Sequence, residues 1–151
     1  MRGLCILVLV SIALLTSSIT YAATCTVATN NFNFGNYDPM SIAPTIGTGT
    51  NLITVSCTRG KGTVTVDLST GGNGSYFPRV MKSGANILTY NLYTTASLVT
   101  VWGNGTGGTG DIVQTFKNNS TITFSVYGQS TAQQNVMPGS YSDSITVTVN
   151  F

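Results

Sequence analysis

The sequence contains no histidine and no glutamate, and charged residues make up only 7 % of its 151 positions. Without histidine there is no general base of ordinary pKa, no Ser-His or Cys-His nucleophile pair and no imidazole ligand for a metal. The four acids are Asp38, Asp67, Asp111 and Asp143. Glycoside chemistry needs two carboxylates held about 5–9 Å apart. Asp38, Asp111 and Asp143 stand beside Pro, Gly or Ser, where aspartate caps turns, and Asp67 falls on the outward face of an alternating segment. The expectation is that no residue is catalytic and no cofactor or metal is bound. A net charge of +2 leaves no electrostatic footprint for nucleic acid. Also missing is any apolar repeat at helical spacing. Mean hydropathy is +0.24 and 42 % of residues are hydrophobic, which argues against a disordered chain.

Met1-Arg2 opens the chain with positive charge, and an uncharged apolar run follows from Leu4 to Leu15. Small and polar residues lead from there to Ala22-Ala23. This is the layout of a secretory signal peptide, with cleavage expected after Ala22 and Thr20 at the −3 position. The apolar run is shorter than the roughly 20 residues a membrane-spanning helix needs. Residues 1–22 are therefore read as the export signal and 23–151 as one mature domain. Cys5 leaves with the signal, and Cys25 and Cys57 remain as an even pair in an oxidising compartment. Their spacing is not that of a CxxC redox motif, so a structural disulfide is expected. It would be worth ~3.7 kcal/mol by loop entropy.

Period-two alternation dominates the mature chain. Phe32 and Phe34 share a face before Gly35, and Ile53, Val55 and Cys57 alternate with Thr54 and Ser56. Arg59-Gly60-Lys61-Gly62 reads as a hairpin loop into Val64, Val66 and Leu68. Leu88, Tyr90 and Leu92 are entered through Ser83-Gly84-Ala85-Asn86, and Ile122, Phe124 and Val126 follow. The last set is the cleanest, with Ile145, Val147, Val149 and Phe151 on one face. Short strands rich in Val, Ile, Thr and Tyr, separated by glycine turns, predict one all-β domain, an antiparallel sandwich or barrel. An outer-membrane barrel also ends in an aromatic residue, but needs longer strands carrying a continuous lipid-facing band.

Trp102-Gly103-Asn104-Gly105 is the most site-like loop. Exposed, Trp102 would stack on a sugar ring with Asn104 beside it, giving a carbohydrate- or surface-binding module. The competing reading packs Trp102 over the edge of the core.

Phe34-Gly35-Asn36-Tyr37, Val55-Ser56-Cys57-Thr58, Leu88-Thr89-Tyr90-Asn91-Leu92-Tyr93 and Trp102-Gly103 recur in a familiar order. Val126-Tyr127-Gly128-Gln129, Gln133-Gln134, Pro138 to Asp143 and the closing Ile145 to Phe151 continue it. The ordered set resembles the spore coat protein U family, which includes subunits of archaic chaperone–usher pili of the Csu type. The resemblance implies an immunoglobulin-like antiparallel β-sandwich short of one strand, with the missing strand lent by a periplasmic pilus chaperone and then by another subunit. It implies an outer-membrane usher as a further partner, and a place on the cell surface in a pilus or coat. Carried onto this chain, Ile145, Val147, Val149 and Phe151 would flank the open groove, with the first strand, near Phe32 and Phe34, as its other edge. One departure stands out. Such pilins carry a donor segment ahead of the first cysteine, and the expected cut leaves only Ala23 and Thr24 there. A terminal or coat subunit then fits better than an internal one, and an adhesin acting on a carbohydrate or abiotic surface is the alternative.

Overall fold

The computed structural model describes residues 22–151; the expected export segment up to Tyr21 lies outside them. Eight strands form in chain order: β1 Thr24–Thr29, β2 Thr45–Thr58, β3 Gly62–Leu68, β4 Arg79–Ser83, β5 Asn86–Tyr93, β6 Ile112–Phe116, β7 Ser120–Ser130 and β8 Val147–Asn150. One antiparallel sheet has the order β1-β2-β7-β5-β4, and the other the order β6-β3-β8. Among the described residues no helix is long and apolar enough to cross a membrane.

The alternating residues become the facing layers of a sandwich. Ile53, Val55 and Cys57 of β2, Leu88, Tyr90 and Leu92 of β5, and Phe124 and Val126 of β7 are all buried in one sheet. Val64, Val66 and Leu68 of β3 meet them from the other. Each such aliphatic or aromatic side chain contributes about 1.5–3 kcal/mol on burial, so the two inner faces hold the fold together. Tyr93 and Tyr127 lie directly opposite each other across β5 and β7, the ordinary cross-strand use of tyrosine.

Three expectations are corrected. Residues 59–62 do not close a hairpin: β2 and β3 belong to different sheets, so the loop carries the chain across the sandwich. Val64, Val66 and Leu68 can then face Ile53 and Val55 rather than lie beside them. Secondly, the first strand is Thr24–Thr29 and not the stretch holding Phe32 and Phe34. Its register on β2 places Cys25 opposite Cys57, and the two form a disulfide across a separation of 32 residues. Thirdly, β2 runs for 14 residues, because Thr45 to Gly49 also pair with β7 ahead of an irregularity between Gly49 and Ile53. Glycines in that stretch hide its strand character from a hydrophobic pattern.

Candidate strand-binding groove

β8 is held on one side only. It pairs with β3 from Val147↔Leu68 to Asn150↔Thr65, and it is the last strand of its sheet. Ser69 N donates to Thr146 O at 3.0 Å, and Thr146 N donates to Ser69 Oγ at 2.9 Å. Main-chain groups alternate in direction along an antiparallel strand. Those of Thr148 and Asn150 therefore point to β3, and those of Val147 and Val149 point to the unpaired edge.

Beside that edge the sandwich is open. A groove of about 1210 Å³ has Ile53, Leu88, Leu92 and Val126 of the larger sheet as its floor and Leu68 and Val147 on the side of β8. Its other wall is the stretch 30–37, which contributes Phe32 and Phe34. Both phenylalanines are half-buried and in no strand. Their rings meet edge to face at 4.8 Å, and Phe34 meets Tyr90 in the same way at 5.6 Å.

The residues expected to flank a groove are thus distributed unevenly. Phe32, Phe34, Ile145 and Val147 line it. Val149 packs, partly buried, against the core outside the lining. Phe151 follows the end of β8 and is 58 % exposed.

Polar groups that the sequence does not signal fasten this end of the molecule. The Tyr90 hydroxyl donates to Asp143 Oδ2 at 2.6 Å, while Asp143 Oδ1 accepts from Gly72 N and Ser144 N, both at 2.8 Å. Burial, followed by the hydrogen bond to Asp143 and its charge, pushes the Tyr90 phenol well above its ordinary range. The raised pKa is in keeping with Tyr90 acting as the donor of this pair. Gly71, at φ +76°, leaves the space that Asp143 occupies. Asp143 does not cap a turn of its own segment: its carboxylate reaches Gly72 N in the turn at 71–74 and ties the approach to β8 to Tyr90 of β5.

Arg79 opens β4 and is 0 % exposed. Its guanidinium donates to Ser69 O at 3.0 and 2.8 Å, to Trp102 O at 2.6 Å and to Asn91 Oδ1 at 3.3 Å. It also lies 5.0 Å from the centre of the Tyr76 ring. Burial lowers its pKa, and the negative charge of Asp143 works against that effect. A residue type that is seldom fully buried gives no sequence pattern from which this clamp is read.

Trp102 does not form an exposed binding loop. It is 0 % exposed, its indole N–H donates to Val66 O at 2.8 Å, and its ring is tilted against Phe124 at 6.5 Å. No face remains for a sugar. The area of the indole and its one satisfied donor favour the core. Asn104 is exposed, and its Oδ1 is taken up within its own loop, accepting from the Thr106 hydroxyl at 2.8 Å. On the outer face of β3, Asp67 Oδ2 accepts from Asn150 Nδ2 at 3.3 Å. Its pKa is raised, first by burial and then by the charge of Asp111. Among the described residues, no group of three or more acidic or cysteine side chains is placed to hold a metal ion.

Fold and groove together define a two-sheet, disulfide-bonded sandwich in which one edge strand, β8, lies beside a groove with an apolar floor. The chain belongs to the spore coat protein U domain family, which matches residues 11–148. It is 32 % identical over 130 residues to Protein U of Myxococcus xanthus, covering 79 % of this chain and 70 % of that protein. Its fold is also that of a chain in the crystal structure of the CsuC–CsuE chaperone–tip adhesion subunit pre-assembly complex, from the archaic chaperone–usher Csu pili of Acinetobacter baumannii. The TM-score is 0.59 at 21 % identity over 87 % of this chain. The present chain spans 40 % of that one, and at this identity the likeness is one of fold.

Proposed function

We propose that this protein is an exported structural subunit of a surface pilus or coat, and that it works by accepting a β-strand from another chain. The observation that carries the reading is the unpaired edge of β8 beside an apolar groove. An open strand edge is an aggregation hazard unless it is covered. An added strand satisfies it in one step, its main chain bonding to the groups of Val147 and Val149 and its alternate side chains filling the groove. A periplasmic chaperone supplies that strand during export, an outer-membrane usher passes the subunit on, and another subunit then supplies the strand in the finished assembly. Membership of the family and the fold shared with a chaperone–tip subunit complex support this reading.

The subunit is terminal, or part of a coat, rather than internal to a fibre. From Thr24 onward the first strand is committed to β2, and Cys25 is cross-linked to Cys57. Cleavage after Ala22 then leaves too little chain to donate, because an extended residue spans at most about 3.5 Å.

The test is co-expression in a periplasm with the chaperone of an archaic chaperone–usher system, followed by hydrogen exchange of the purified product. The reading expects a one-to-one complex in which the Val147 and Val149 amides become protected. Purification as a free monomer, with those two amides exchanging unchanged when chaperone is present, would overturn it.

A further inference from the structure

The stretch 30–37 is the groove wall that belongs to no strand, so a ladder of hydrogen bonds does not hold it. Among the described residues its main chain reaches the neighbouring sheet once, where Asn30 N donates to Leu52 O at 2.8 Å. Two of its three aromatic side chains, Phe32 and Phe34, rest instead on glycine, while the Tyr37 hydroxyl donates to Thr131 O at 2.9 Å and accepts from Gln134 N at 2.7 Å. Gly47 of β2 and Gly128 of β7 face each other directly in the sheet register. Neither has a positive φ, so the backbone there would accept any L residue, and glycine inside a strand is ordinarily destabilising. The reason for glycine is space. A Cβ on Gly47 would lie 2.8 Å from Phe32 Cζ, and one on Gly128 would lie 2.7 Å from both Phe32 Cε1 and Phe34 Cε1. The rings occupy the places where those side chains would stand, an arrangement in which an aromatic covers a strand glycine.

From that seat a chain of contacts crosses the groove. Phe32 meets Phe34, Phe34 meets Tyr90, and Tyr90 bonds to Asp143 on the approach to β8. The position of one wall is thereby keyed to the other.

We propose that the facing pair Gly47 and Gly128 is a steric seat for Phe32 and Phe34 that sets the width of the groove, making both glycines positioning residues for an incoming strand. The inference rests on the strand-acceptor reading above. Adding a methyl group at either glycine lifts the rings and moves the wall, while the backbone of β2 and β7 stays as it is.

The experiment refolds the oxidised chain with a fluorescein-labelled synthetic peptide that alternates valine and threonine and carries a lysine at each end. The lifetime of the complex is then read by anisotropy after adding unlabelled peptide. Gly128→Ala is expected to shorten that lifetime about tenfold, within what overfilling a packed site costs. Gly47→Ala should act similarly in the wild-type background, yet by no more than about twofold once Phe32→Leu has removed the ring it strikes. That coupling separates a seat from a general loss of stability, which would act equally in both backgrounds. The α-protons of Gly47 and Gly128 should also resonate upfield beneath the rings and relax in Phe32→Leu. A Gly128→Ala complex as long-lived as wild type, or a Gly47→Ala effect indifferent to Phe32, overturns the seat alone. Failure of the wild-type chain to take up the peptide overturns the strand-acceptor reading, and the positioning role with it.

Discussion

Arg79→Met is the substitution whose consequence can be worked most fully from the contacts. The guanidinium satisfies two main-chain carbonyls, Ser69 O and Trp102 O, at a site that is 0 % exposed. Methionine fills a similar volume but leaves both carbonyls without a donor, at about 1–3 kcal/mol each. Loss of the contact with the Tyr76 ring adds about 1 kcal/mol. Removing a buried charge returns part of its desolvation cost, which brings the net loss to about 3 kcal/mol. For a domain of this size that is a fall in Tm of roughly 10 °C. Arg79→Lys should recover little, because a single ammonium cannot reach Ser69, Trp102 and Asn91 together as the planar fork does. The assay is thermal unfolding of the oxidised protein, followed by circular dichroism, with wild type and both variants in the same strand-bound state. A fall of less than about 2 °C for Arg79→Met, or wild-type stability for Arg79→Lys, would refute the clamp.

Alkylation of the unreduced protein should label neither Cys25 nor Cys57, and the Cys25→Ser/Cys57→Ser pair should cost ~3.7 kcal/mol in denaturant unfolding, the loop-entropy value for the 32-residue separation; labelling of either cysteine contradicts the bridge. Tyr90→Phe leaves Asp143 Oδ2 without its 2.6 Å donor and should lower stability by about 1–3 kcal/mol, with faster amide exchange at Gly72 and Ser144; unchanged exchange there would show that the pair does not fasten the approach to β8. Asp67 has a raised pKa, so the folded state holds its proton more tightly than the unfolded chain, and the contribution of this group to stability falls as pH rises through the folded value. Asp111→Asn should lower the pKa of Asp67 without bringing it down to 3.8, since burial is the larger cause; a carboxyl-carbon NMR titration that does not move would remove Asp111 from the account.

Legibility in the sequence followed the physics of each segment. Strands with one buried face declare themselves by period two, and Val64, Val66 and Leu68, or Leu88, Tyr90 and Leu92, are buried as their alternation predicts. The disulfide was legible because an expected export signal that removes Cys5 leaves an even cysteine pair with few alternatives. β1 carries mostly exposed residues, so alternation is silent, and it is placed by Cys25 and its register on β2. β4 opens on a buried arginine and β6 is exposed at its three middle positions, so neither presents an alternating hydrophobic pattern. The loop at 59–62 misleads because a turn signal gives the length of a connection but not which sheet receives the next strand. Phe32 and Phe34 alternate as a strand would, but they are held by glycines distant in sequence, a relation that appears only once β2 and β7 are paired. Trp102 stands among flexible glycines, and its burial follows from a partner, Val66 O, that local sequence cannot supply.

On the strand-acceptor reading, the sandwich stays open until another chain closes it. The most direct measurement compares thermal unfolding of residues 23–151 alone with that of the same chain extended, through a flexible linker after Phe151, by an alternating valine–threonine strand. The account predicts that the chain alone aggregates or melts without a cooperative transition, while the extended form is a monomer with a sharp one. A soluble monomer of residues 23–151 that unfolds cooperatively, and gains nothing from the added strand, would contradict it.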